Sequence, residues 1–233
     1  MKQSIFGLVM AASVGSGVAA DENEFVISNL ASVLYHELGH AIIDQMQLPI
    51  FGQEEDAADV LSVLLIDRLY QEENAQAVAY DAAFGFDAEA QSQPIFWDTH
   101  GPDEQRYFNL ICLFYGANPD ERDDLAQELG LPEERAISCE EEFDIANNSW
   151  GPVLDEMAEL KGQLVYKGPE TGLYAEFLTQ EVGFLAEQFR FPIDIDVKLE
   201  DCGEANAYYD LQDQSITMCS EFEGHLREQF SSF

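Results

Sequence analysis

His36-Glu37-Leu38-Gly39-His40 sets two imidazoles four residues apart, with a carboxylate between them. On a helix, residues four apart share a face. Both rings can then reach one Zn²⁺, and Glu37 falls beside the remaining coordination position as a general base. Five residues also occur as a plain helix with two surface histidines. What separates the two readings is a third protein ligand. Glu54-Glu55-Asp56-Ala57-Ala58-Asp59 follows at once. A second helix that returns antiparallel to the first would bring its start to the metal. Glu55 and Asp59 are four apart and share a face, so Glu55 can ligate while Asp59 accepts a hydrogen bond from a ligand histidine. Glu54 is the rival ligand, and Asp56 reads as a solvated helix start.

A second group is Asp98-Thr99-His100-Gly101-Pro102-Asp103-Glu104-Gln105-Arg106. A hydrolytic metal site needs, besides the metal, a donor for the charge that develops on a carbonyl oxygen. Asp98 and His100, two apart in an extended segment, point to one side, so the carboxylate can orient the imidazole. Arg106, on the helix that follows, can grip a substrate carbonyl; alone it would read as an ion-pair partner in an acidic chain. His225, the remaining histidine, reads as a surface residue without a role.

These residues need a scaffold. Val26, Leu30, Val33, Leu34, Leu38, Ala41 and Ile42 recur at helical spacing, which predicts a helix over 24–45. Leu48-Pro49-Ile50-Phe51-Gly52 breaks it, and a second helix runs from about Glu54 to Tyr70 with acids in its first turn. Further helices are expected over 72–90, from Pro102 to Gly116, near 119–129 and 132–147, and over 172–190. Trp150-Gly151-Pro152 and the stretch from Lys161 to Thr171 read as a connection between halves, 21–157 and 172–233. Ile193 to Leu199 alternates strictly, as a strand with one buried face does. Asn206–Tyr209 and Ser215–Cys219 read as two more strands around a turn, before a short terminal helix. The class is α+β, mostly helical with a small sheet.

The chain of 233 residues carries 46 acids against 10 Lys and Arg, a formal net charge of −36, which argues against nucleic acid and anionic membranes as partners. With 46% hydrophobic residues it is no disordered acidic tail. Met1-Lys2-Gln3, an apolar run from Ile5 to Ala12 and the small-residue end Val18-Ala19-Ala20 follow the order of a secretory signal peptide cleaved after Ala20. Nothing later has the length of a membrane span. A secreted or periplasmic chain makes Cys112, Cys139, Cys202 and Cys219 two disulfides. Three pairings are possible; Cys112–Cys139 and Cys202–Cys219 are favoured because each stays within one half. A zinc site on these cysteines would call for a C-x-x-C pair, and there is none.

H-E-x-x-H followed by E-x-A-A-D resembles the gluzincin metallopeptidases. By position, that resemblance implies His36, His40 and Glu55 as zinc ligands, Glu37 as base and Asp59 as support. Asp98, His100, Pro102 and Arg106 match the neprilysin-type D-x-H-x-P-x-x-x-R segment, whose His stabilises the tetrahedral intermediate and whose Arg binds a substrate carbonyl. Asn206-Ala207-Tyr208-Tyr209 resembles the edge strand of the same group, whose Asn and Ala pair with an extended peptide by β-augmentation. With HELGHAIID, LPIFGQEEDAAD, DTHGPDEQRYFN, LPEERAISCEEEF and CGEANAYYDLQDQSITMCSEF, the chain is similar to an uncharacterised bacterial family of secreted metallopeptidases. The resemblance implies a zincin-like fold and hydrolysis of peptide bonds with Zn²⁺ as cofactor. In relatives the edge strand precedes the H-E-x-x-H helix; here it follows by more than 160 residues, for which a circular permutation is the simplest explanation, the alternative being that the two halves do not combine as in relatives. Two other classes stay open: an inactive secreted module that keeps a zinc, and a calcium-dependent surface protein, although no D-x-D-x-D-G loop is present.

Overall fold

The computed structural model describes residues 21–89, 94 and 96–233; the leader expected over 1–20 lies outside them. Helix α1 (Glu22–Gln45) is the axis of the molecule. Asp21 caps it, its carboxylate accepting the Asn23 N–H at 2.8 Å, and Glu22 and Glu24 favour the positive end of the helix dipole. Val26, Leu30, Leu34, Tyr35, Leu38 and Ile42 are fully buried, so the helix is apolar on nearly every side, as a helix enclosed by others must be. Around it lie α2 (Glu54–Leu69), α3 (Glu72–Glu89), α8 (Leu173–Gln188) and α9 (Glu221–Phe230). Outside these stand α4 (Asp103–Ala117), α5 (Pro119–Glu128), the short α6 (Glu133–Ala136) and α7 (Cys139–Met157).

The glycine of the HELGH sequence has a packing reason. A Cβ on Gly39 would stand 2.9 Å from the Cα of Ala58, so only glycine lets the backbones of α1 and α2 approach this closely. That approach sets Glu54, Glu55 and Asp59 within reach of the α1 histidines.

Four strands, β1 (Leu164–Lys167), β2 (Ile195–Glu200), β3 (Ala207–Asp210) and β4 (Ser215–Cys219), form one sheet in the order β1-β2-β4-β3. The first three in that order are parallel, and β3 is the antiparallel edge, Ala207 opposite Met218 and Tyr209 opposite Ile216. β3 and β4 pack on α1. The class is α+β, mostly helical with a small mixed sheet, as expected. Residues of both expected halves, such as Leu34, Leu61, Leu178, Ile216 and Leu226, belong to one hydrophobic core.

Three expectations fail locally. The helix expected over 132–147 is two helices, α6 and α7, and α7 continues through Trp150-Gly151-Pro152 where a connection was expected. An interior proline costs a helix about 3 kcal/mol. Trp150, Leu154 and Met157, at helical spacing, are all buried and together outweigh that cost at about 1.5–3 kcal/mol each. Within the other expected connection, Leu164–Lys167 is the strand β1, which also has a parallel partner in β2.

Cys112 is bonded to Cys139, tying α4 to the start of α7, and Cys202 to Cys219, tying the segment before β3 to the end of β4. No described helix is long and apolar enough to cross a membrane.

Candidate metal centre

His36 and His40 project from one face of α1 toward the first two turns of α2. The pairing order, His36 with Asp59 and His40 with Glu54, shows that α2 returns along α1 in the opposite direction. His36 Nε2 and His40 Nε2 are 3.2 Å apart, and Glu55 Oε2 is 3.1 Å from each. Among the described residues this is the one group of three or more such side chains that could hold a metal ion.

The outer faces of the rings fix their tautomers. His36 Nδ1 is 2.7 Å from Asp59 Oδ1, and His40 Nδ1 is 2.8 Å from Glu54 Oε1. A carboxylate only accepts, so each Nδ1 carries a proton, and Nε2 is the nitrogen that each ring can offer to a metal. Two imidazole nitrogens and a carboxylate oxygen then face one another, an arrangement that calls for a cation. Burial opposes a charge on His36, but its bonds to Asp59 and Glu55 win, and its pKa is pushed up to about 9: without a metal the site attracts a proton. Donors at about 2.0–2.1 Å from a tetrahedral zinc stand about 3.3 Å apart, close to the observed triangle. The donor set fits.

Glu37 lies beside the triangle and is buried. Burial holds its carboxyl above the usual range, against the pull of His36 and His40, and the Tyr209 N–H donates to it. Cys219 N–H donates to the Asn206 carbonyl at 3.0 Å, so the antiparallel alternation turns the backbone groups of Ala207 and Tyr209 away from β4. Tyr209 is further held by its hydroxyl, which donates to Asp44 at 2.8 Å.

These groups line one cleft of about 1050 Å³, together with Asp98, His100, Arg106, Asn206, Ala207 and His225. A second, mostly apolar cavity of about 680 Å³ lies beyond Asp59, Ser62, Phe86 and Arg106, which border both. It has no imidazole in its wall, so metal chemistry belongs to the first.

A family model described as "Putative metallopeptidase" (DUF4344) matches residues 9–154 and 171–232. The chain belongs to this metallopeptidase family. No curated protein and no solved structure matches it.

Within this family member, the second group sits at the candidate metal centre but in its own geometry. His100 Nε2 lies 2.9 Å from Glu55 Oε2, the oxygen that also faces both α1 histidines. His100 first, then His36 and His40, hold the Glu55 carboxyl far below the usual range. Asp98 was expected to orient the His100 ring; its Oδ1 is 3.7 Å from Nδ1, beyond hydrogen-bond reach, and instead accepts the backbone N–H of His100 at 3.2 Å. The reason is local: an Asp in a tight turn bonds the N–H two residues on. Arg106 grips Asp59 with two bonds, 2.8 and 2.9 Å, lies over the Phe86 ring and reaches Asp103 at 3.5 Å. Asp59 therefore links His36 to Arg106.

Three roles escaped sequence reasoning. Glu54, the rival ligand, stands at His40 Nδ1 as Asp59 stands at His36. Tyr209 bonds Glu37 through its backbone, and the available signal was its alternation with Ala207 on the same strand. His225 lines the cleft, 2.8 Å from Glu89, where a surface position without a role was expected. All four histidines of the chain thus border one cleft.

Proposed function

We propose that this chain is an exported zinc peptidase of gluzincin type with a zincin-like, circularly permuted fold. The observation that carries the reading is the triangle of His36 Nε2, His40 Nε2 and Glu55 Oε2, backed by Asp59 and Glu54 and flanked by Glu37. In that position Zn²⁺ would supply Lewis acidity, polarising a carbonyl and making water acidic near neutral pH.

The chain's own residues carry the proton and place the substrate. Glu37, its carboxyl raised by burial, takes a proton from the attacking water and returns it to the leaving amine. His100 and Arg106 hold the oxygens of the reacting peptide from the cleft wall. The outward Ala207 carbonyl and the Asn206 side chain pair with the substrate backbone, which lies along β3 as an added strand.

Permutation is supported by the closeness of the described ends. Arg227 on α9 is 3.2 Å from Glu22 and 2.8 Å from Asn23, and Phe25 packs on Phe230. A connection there would restore the order of edge strand before metal helix. Export is supported by the leader-like sequence of residues 1–20 and by two disulfides, which persist in oxidising compartments.

A second reading, an inactive zinc-containing binding module, is favoured by His100 lying against Glu55, where it crowds the site. One experiment separates the readings: metal analysis of the purified chain with a peptide-library digest, with and without a chelator, on wild type and Glu37→Gln. Stoichiometric zinc with chelator-sensitive cleavage lost in Glu37→Gln supports the peptidase. Zinc without cleavage supports the module, and no zinc refutes both.

A further inference from the structure

Charge in the cleft is distributed unevenly. Glu37, Glu55 and Asp59 at the centre would be balanced by Arg106 and a bound divalent cation. Around them stand five more carboxylates, Asp44, Glu54, Glu89, Asp98 and Asp103, and no second Lys or Arg borders the cleft among the described residues. His225, even if protonated beside Glu89, would remove one charge of the five. Basic residues are placed elsewhere. Lys161, Lys167, Arg190 and Lys198 lie on β1, β2 and their flanking segments, and two strands of the sheet order separate β1 from β3. Arg68, Arg122, Arg135 and Arg227 each face a carboxylate outside the cleft, at 2.7–3.2 Å.

Resting on the peptidase reading above, we infer that the cleft selects cationic peptides, with Lys or Arg side chains beside the scissile bond, and rejects acidic ones. Two places would receive such a side chain. Asp44 and Glu54 line the cleft near His40, and Glu89 and Asp103 line it near His225 and Arg106. The last two are close enough for the Glu89 charge, after burial, to keep the Asp103 carboxyl above its usual range against the pull of Arg106. Only these nearby groups matter at physiological salt, where charges beyond about 8 Å are screened. A unit charge about 4 Å from one carboxylate in a wet cleft is worth about fivefold in binding, and two carboxylates about 25-fold.

The test uses the full mature chain loaded with zinc and three quenched fluorescent peptides that differ only in Lys, Gln or Glu on both sides of the scissile bond. We expect kcat/KM to fall in the order Lys, Gln, Glu, with at least about a fivefold step at low salt and near-equality in high salt. Glu89→Gln should lower the Lys-to-Gln ratio. In parallel, binding of the same peptides to zinc-loaded Glu37→Gln is measured, counting only the part that a hydroxamate chelator displaces. Cleavage of all three peptides at equal rates overturns the inference and leaves the peptidase reading standing. No cleavage counts against that reading, and the binding order then decides the inference: equal binding overturns it, and Lys above Glu upholds it.

Discussion

Asp59 joins His36, a candidate metal ligand, to Arg106, so Asp59→Asn perturbs two systems whose magnitudes differ. The carboxylate accepts the His36 Nδ1–H at 2.7 Å and two guanidinium bonds at 2.8 and 2.9 Å, with about a quarter of its side chain exposed. Asparagine keeps the shape and one acceptor but loses the charge. Losing a carboxylate behind a ligand histidine typically costs 10–100-fold in metal affinity, about 1.4–2.7 kcal/mol. Arg106, with only 17% of its side chain exposed, would keep Asp103 at 3.5 Å as its remaining carboxylate. Breaking a buried pair costs about 3–5 kcal/mol, and the partial exposure of Asp59 brings the expected loss of metal-free stability to about 2 kcal/mol. Glu54→Gln is the control. Its carboxylate is also 2.8 Å from a ligand histidine but is 48% exposed, so at most about a fivefold loss of affinity is expected. Zinc affinity is read by competition with a chromophoric chelator, and metal-free stability by urea unfolding. If Asp59→Asn binds zinc within threefold of wild type, or if Glu54→Gln costs as much, Asp59 does not orient His36 in the way proposed.

Other expected outcomes follow from the same geometry. Glu37→Gln should keep its zinc and lose peptide hydrolysis by about 10²–10⁴ in kcat, measured by single-substrate kinetics with metal analysis. Gly39→Ala gains about 1 kcal/mol of helix propensity but sets a Cβ 2.9 Å from the Ala58 backbone, at about 1–3 kcal/mol; a net loss of stability together with weaker zinc binding is expected in thermal melts and chelator titrations. Asp81 gives a pH signature. Burial, joined by the field of Glu24 and opposed by a bond from Ser28, pushes its pKa up to about 6. Between pH 4 and 6 the folded state keeps this proton and the unfolded state does not, so stability falls as pH rises, by up to about 3 kcal/mol. Asp81→Asn should remove that fall and be the more stable protein at pH 7, with no advantage below pH 4; urea unfolding across pH checks it. Replacing Cys202 and Cys219 together by alanine opens a 17-residue loop and should cost about 3 kcal/mol in the same assay.

Much of the molecule was legible because its signals are local. Seven apolar residues at helical spacing announced α1, and a helix spacing of four placed His36 with His40 and Glu55 with Asp59. Strict alternation announced β2. β1 went unread because four residues, only Leu164 of them fully buried, are too short to show a period. The run of α7 through Pro152 went unread because proline breaks helices locally, while the burial that overrides it comes from distant elements.

The candidate site divides in the same way. Residue types and spacing alone set which two imidazoles could share a metal and which carboxylate could serve as base, since these depend on a single helix. Three matters were decided by tertiary structure. Which of Glu54 and Glu55 faces both Nε2 atoms depends on how closely α2 crosses α1 at Gly39. Asp59 meets Arg106, and Tyr209 meets Glu37, across elements that the sequence cannot orient. His225 reaches the cleft because α9 packs back on α1. A side chain's chemistry is written in its own residue, but its partner is chosen by the burial of the whole core.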